Sequence, residues 1–130
     1  MRQQKVLLLA DVFPCTNSSG GIVSQQLCYF LLEEKYQVYC AVLKQKYFTE
    51  KPDDYIKQNI DTIYFDKPSE NANDKGAYLG QIKNIAKEIC NYIKENDIDI
   101  IWCTLQGESL LRILDILQRK FPDKRFVPQV

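Results

Sequence analysis

The chain has 130 residues, an ordinary apolar fraction of 45% and 26% charged residues, which fits a single domain long enough to bury one hydrophobic core. Seventeen basic residues balance seventeen acidic ones, so no global field draws the protein toward nucleic acid or an anionic membrane. There is no histidine, which removes the commonest metal ligand and the commonest general base.

The N-terminal stretch "MRQQKVLLLADVF" has a charged start, but its apolar run is too short for a signal peptide, and no stretch reaches membrane-spanning length. Within it, "KVLLLA" (Lys5 to Ala10) is nearly all apolar and ends at Asp11, the pattern of a strand buried on both faces. A polar loop with a glycine pair follows, "FPCTNSSGG". Then "GIVSQQLCYFLLEE" places Val23, Leu27, Phe30 and Leu31 at helical spacing, and Glu33 and Glu34 mark its polar end. "QVYCAVL" (Gln37 to Leu43) is rich in β-branched and aromatic residues and predicts a second strand. After Pro52, Asp53 and Asp54 suit the start of a short helical turn, and "DTIYF" (Asp61 to Phe65) predicts a third strand.

The second half is more strongly patterned. "DKPSENANDKGA" has turn residues and no apolar period, so it is a surface loop. From Tyr78 to Asn96, Ile82, Ile85, Ala86, Ile89, Cys90 and Ile93 recur at the spacing of an amphipathic helix. "DIDIIWCT" (Asp97 to Thr104) is another buried strand. Leu110, Ile113, Leu114, Leu117 and Phe121 then mark a helix opened by Glu108 and Ser109 and closed near Pro122. "RFVPQV" begins a last strand. The basic residues nearby, Arg119, Lys120, Lys124 and Arg125, read as a solvated helix end that complements the macrodipole rather than a phosphate site.

The cysteines are Cys15, Cys28, Cys40, Cys90 and Cys103, an odd number with no CxxC spacing, which fits neither a disulfide framework nor a zinc site. Cys40 and Cys103 fall in apolar strand-like runs, where a reduced thiol behaves as a small hydrophobe. The expectation is a cytoplasmic protein, at most peripheral at an inner membrane surface.

Strands alternating with helices imply right-handed β-α-β units and an α/β, doubly wound parallel sheet of Rossmann-like type. The most apolar strand, the first, belongs at the centre, giving the order 3-2-1-4-5. At such a switch point the loops leaving neighbouring strands diverge and open a crevice. Two loops then face each other, Asp11 to Gly21 and Thr104 to Glu108. Gly20 and Gly21 at the mouth of the first helix suit a phosphate or diphosphate, because they let a ligand approach unpaired backbone N–H groups without meeting a Cβ. Ser18 and Ser19 add hydroxyl donors. The local pattern fits a serine-capped helix entry with no ligand equally well.

Two named phosphate motifs are excluded: Ile22 follows Gly21 where a P-loop needs lysine, and a Gly-x-Gly-x-x-Gly fingerprint is absent. A phosphoacceptor receiver needs an acidic pair after the first strand, and Val12 stands beside Asp11. Asp66 after the third strand does not rescue that reading. Asp11 is expected to order its loop through its own backbone hydrogen bonds. The aromatics Tyr47, Phe48, Tyr55 and Tyr78 read as core cover rather than as sugar-stacking surfaces.

"KVLLLADVFPCTNSSGGIVSQQLCYFLLEEKYQVYCAVL" resembles the opening of a GT-B glycosyltransferase, in particular those similar to glycosyltransferase family 4, with a buried strand, a loop, a Gly-Gly pair, an amphipathic helix and a second strand. "DIDIIWCTLQGESLLRILDIL" resembles their fourth strand and the helix after it. The resemblance implies two Rossmann-like domains around a cleft, with residues 1–130 as the N-terminal, acceptor-side domain, truncated within its fifth strand. It implies a nucleotide-diphosphate sugar donor, a sugar or lipid-linked acceptor, and transfer with retention. No cofactor, metal or nucleic acid enters, and the donor-binding C-terminal domain is missing, so this fragment is expected to be inactive alone.

Carried onto this chain, Gly20, Gly21 and Ser19 approach the donor diphosphate. Asp11, Thr104, Gln106, Gly107 and Glu108 border the acceptor, and no residue of the fragment is catalytic. Stabilising a leaving diphosphate through backbone N–H groups is electrostatic catalysis. Two departures stand out. Many relatives place a histidine just after the fourth strand, where this chain has Cys103, Thr104, Leu105 and Gln106, and many end the first helix with glycine, where it has Lys35-Tyr36. The competing expectation is a non-catalytic Rossmann-like or flavodoxin-like module that binds a nucleotide or a partner protein.

Overall fold

A computed structural model describes residues 3–10, 19–44, 54–68, 75–104 and 107–129. Five strands, β1 (Lys5–Ala10), β2 (Gln37–Lys44), β3 (Asp61–Asp66), β4 (Ile100–Thr104) and β5 (Arg125–Gln129), alternate with four helices, α1 (Ser19–Glu33), α2 (Asp54–Asn59), α3 (Lys75–Asn96) and α4 (Glu108–Lys120). The strands form one sheet in the order β3-β2-β1-β4-β5, and every neighbouring pair is parallel. This is the doubly wound, Rossmann-like arrangement that the alternating pattern predicts.

The central strand shows why the run had to be continuously apolar. Val6 and Leu8 face one side of the sheet, and Leu7 and Leu9 face the other; all are 1% exposed or less. A parallel strand covered on both faces has no polar side, so apolar residues fill both alternating sets. Burying each of these leucines contributes about 1.5–3 kcal/mol.

The two layers are separate cores. On one face α3 and α4 pack over Leu7, Leu9, Tyr39, Ala41, Leu43, Ile101 and Cys103, using the isoleucine stripe of α3 and Leu110, Ile113, Leu114 and Leu117 of α4. On the other face α1 and α2 pack over Val6, Leu8, Val38, Cys40, Val42 and Ile100. The four described cysteines, Cys28, Cys40, Cys90 and Cys103, are buried and in no disulfide, while Cys15 lies outside the described residues. No described helix is long and apolar enough to cross a membrane.

The helix α1 forms where its periodicity predicts, but its buried face is rotated. Ser24, Cys28 and Leu31 are buried and Leu27 is half-buried, whereas Val23 and Phe30 are 47% and 52% exposed. The segment is apolar around most of its circumference, so spacing alone left several faces able to serve as the inner one.

Both long helices of the first three crossovers end in the same way. Lys35 has φ 71° and Asp97 has φ 56°, the left-handed conformation. Tyr36 N–H donates to Leu31 O at 3.0 Å and Lys35 N–H to Leu32 O at 3.1 Å. After α3, Ile98 N–H donates to Ile93 O at 3.1 Å and Asp97 N–H to Lys94 O at 3.4 Å. These are paired Schellman bonds, in which the residue after the helix satisfies orphan carbonyls by turning left-handed. Lys35 therefore holds the left-handed position that glycine most often fills after a helix.

Candidate functional site at the carboxyl edge of the sheet

Strand β1 pairs with β2 on one side and with β4 on the other, so the crossover direction reverses between β1 and β4. The helices α1 and α4, which follow these strands, both start at the carboxyl edge beside this switch point. This is where doubly wound folds open a crevice for ligands.

Ser19, Gly20 and Gly21 form the first turn of α1. Their backbone N–H groups have no partner within the helix, and the aligned peptide dipoles add roughly half a positive charge there. No acidic side chain stands in this first turn. The other helix start differs. Glu108 opens α4, so that terminus already carries an anion, and its carboxylate accepts from Arg112 Nε at 3.0 Å and Nη2 at 2.7 Å. The pairing raises the already high pKa of the Arg112 guanidinium, chiefly through the hydrogen bond with Glu108 and then through its charge. Of the two helix starts at the switch point, α1 is the one without a carboxylate of its own.

The remaining candidates have distinct roles. Thr104 is buried at the end of β4, and its hydroxyl donates to the Leu9 carbonyl of β1 at 3.2 Å. It ties together the two strand ends that flank the switch point, which commits its proton to the backbone. Gly107 sits at the N-cap of α4 with φ 111° and ψ 166°, a region essentially reserved for glycine, and no side chain caps the helix there. Asp11 and Gln106 lie outside the described residues, as do Tyr47 and Phe48 and the side chain of Ser19. Tyr55 is exposed and packs against Tyr29 with ring centroids 5.8 Å apart, whereas Tyr78 is buried.

Sequence reasoning missed the polar link beneath this edge. The Tyr78 hydroxyl near the start of α3 and the Ser109 hydroxyl in the first turn of α4 hydrogen-bond to each other at 3.0 Å, and both residues are buried. The signal was present: Tyr78 precedes Ile82 by four residues and Ser109 precedes Ile113 by four, so each is a polar group on a core-facing helical stripe. Such positions demand partners. Among the described residues no cluster of acidic residues, cysteines or histidines could hold a metal ion.

No family model and no curated protein matches the sequence. Solved structures do match in fold. A glycosyltransferase from Rickettsia africae superposes with a TM-score of 0.64 at 16% identity, over 98% of this chain and 30% of that one. MurG from Acinetobacter baumannii gives 0.63 at 14% identity, over 96% of this chain and 34% of that one. The C-terminal domain of a hydrogenase from Pyrococcus furiosus gives 0.62 at 12% identity, over 100% of this chain and 95% of that domain. The chain thus shares a Rossmann-like fold with all three and spans about a third of the length of the Rickettsia and Acinetobacter proteins. At these identities the likeness is one of fold, and function has to be argued from the site.

Proposed function

We propose that the chain is the acceptor-side, N-terminal domain of a glycosyltransferase that moves a sugar from a nucleotide-diphosphate donor to a sugar or lipid-linked acceptor, in the manner of GT-B enzymes similar to family 4. The observation that carries the proposal is the first turn of α1. It has adjacent Gly20 and Gly21, contains no carboxylate, and lies at the switch point of a sheet shared with glycosyltransferases. The helix start offers oriented N–H donors to charge that develops on the leaving diphosphate, and the absence of Cβ atoms leaves room for close approach. Thr104, Gly107 and Glu108 are assigned to the acceptor side of the same crevice, and so, from the sequence alone, are Asp11 and Gln106. A donor-binding domain completes the cleft.

The test is turnover of a nucleotide-sugar panel by the intact gene product and by its Gly21→Val variant. Donor-dependent turnover that falls at least tenfold in the variant, with little change in melting temperature, supports the reading. No binding or hydrolysis of any nucleotide sugar at millimolar concentration sinks it. The second reading is a non-catalytic Rossmann-like or flavodoxin-like module that binds a nucleotide or a partner protein, since the same fold also stands as a domain of a hydrogenase, matched end to end. It predicts no nucleotide-sugar turnover with or without Gly21.

A further inference from the structure

Helix α3 carries its charges in two separate lines. Lys83, Lys87 and Lys94 fall within about 40° of one another around the helix axis, on the flank beside α4. Glu88 and Glu95 fall about 110° away, toward β3, where they border a different hollow with Tyr64 and Tyr92. One flank is therefore basic and the other acidic.

The basic flank faces a groove of about 470 Å³ between α3 and α4. The three lysines form one wall, Ile116 and Lys120 of α4 form the other, and buried Cys90 lies between them. No carboxylate lines this groove. The acids of α4 are engaged on their own helix, Glu108 with Arg112 and Asp115 with Arg119. All four lysines are exposed, and among the described residues none of them forms an ion pair. Asp99 and Asp123 border Lys120 only in a second hollow, at the amino edge of the sheet. The basic charge also reaches the base of the groove. Burial raises the Cys90 thiol, and Lys120 and Lys94, one from each wall, pull it back.

The chain as a whole is neutral, so this concentration of cations is local. Four like charges around one groove repel one another, and a bound anion relieves the repulsion. Lysine ammonium groups are point charges on flexible stems, which suit phosphate oxygens pointing in several directions. The extent of the field limits the ligand. The lysine line rises only about 16 Å along α3, and the Glu88 and Glu95 line runs beside it. A broad polyanion such as duplex nucleic acid or an anionic membrane would meet those carboxylates as well.

We propose that the groove between α3 and α4 binds a compact, soluble polyphosphate. Lys94 and Lys120 hold one end of it from opposite walls, and Lys83 and Lys87 hold the other. The groove opens on the outer side of the helical layer and uses neither the first turn of α1 nor the carboxyl edge of the sheet. It stands independently of the functional reading.

Titration of the isotope-labelled chain with inorganic tripolyphosphate at low salt, followed by amide NMR, tests the proposal. Amides of residues 83–94 and 116–120 should shift together, with a single dissociation constant below about 1 mM. Lys87→Glu, at an exposed position, should weaken binding about tenfold or more. Lys57→Glu, an equal charge change on α2 across the sheet, should cost less than about threefold. Orthophosphate, which can engage fewer lysines, should bind about tenfold more weakly than tripolyphosphate. No shift in the groove up to about 10 mM tripolyphosphate overturns the proposal. So do shifts confined to the start of α1, equal losses with the two lysine variants, or orthophosphate binding as tightly. Co-sedimentation with phosphatidylglycerol vesicles that Lys87→Glu abolishes would assign the lysines to a membrane surface instead, and it too overturns the proposal.

Discussion

Tyr78 and Ser109, 31 positions apart, share a buried hydrogen bond of 3.0 Å that joins the start of α3 to the start of α4. It is a polar link inside an apolar layer, and it ends in the first turn of α4, one residue after Glu108. Two helix starts that would otherwise be held only by non-directional packing are thereby held in register with the carboxyl edge of the sheet. Tyr78→Phe should lower stability by about 1 kcal/mol in urea denaturation, and a double-mutant cycle with Ser109→Ala should show a coupling of about 0.5–1.5 kcal/mol. A coupling of zero would mean that the two hydroxyls do not interact in solution.

Gly107 occupies a backbone conformation that a side chain tolerates poorly. Gly107→Ala should destabilise the fold by about 1–3 kcal/mol, read as a lower denaturation midpoint at unchanged m-value. A neutral result would show that the turn before α4 adopts another conformation.

The helix ends at Lys35 and Asp97 offer the opposite opportunity. Each places a residue with a Cβ in the left-handed region, at a cost of about 1–2 kcal/mol, and glycine removes that strain while loosening the unfolded chain. Lys35→Gly and Asp97→Gly should each stabilise by about 0.5–1 kcal/mol, seen as a rise in melting temperature. Lys35→Pro should destabilise, since proline cannot adopt positive φ and would remove the N–H that bonds Leu32 O.

Stability should fall in alkali. Burial pushes the Cys28 thiol from 9.0 up to about 12, so the folded state keeps a proton that the unfolded chain releases. Because the folded value is the higher one, the contribution is complete below pH 9 and is lost as pH rises toward 12, at up to about 1.4 kcal/mol per pH unit. Tyr39 and Tyr92 shift upward too, first through burial and then through the neighbouring Asp61, so they act in the same direction above their ordinary range. Denaturation midpoints from pH 8 to 11 should decline, and the Cys28→Ala variant should decline less steeply. Equal slopes would show that the thiol is not the titrating group.

Much of the fold was legible from local pattern. The continuous apolar run at Lys5–Ala10 and the isoleucine period of α3 carry their own burial statement, because a strand covered on both faces and an amphipathic helix each leave a distinct spacing. The glycine pair could be assigned to a helix start for the same reason. The inner face of α1 was not legible. With apolar residues on three sides, its orientation depended on the sheet and on α2, and Val23 and Phe30 turned outward. The site was legible as a place and less so as a set of roles: Thr104 and Glu108 acquired their partners, Leu9 O and Arg112, only in the folded chain.

Periodicity and turn chemistry, which act over a few residues, were sufficient to place the strands, the parallel sheet and the order of its strands, whereas α3 begins at Lys75, inside the segment whose turn residues predicted a loop up to Ala77. Which flank of α1 is buried, the hydrogen bond between Tyr78 and Ser109, and the pairing of Trp102 with Val127 arise between residues far apart in sequence. Those features depend on how whole layers pack, a competition among long-range contacts that no short window of residues encodes.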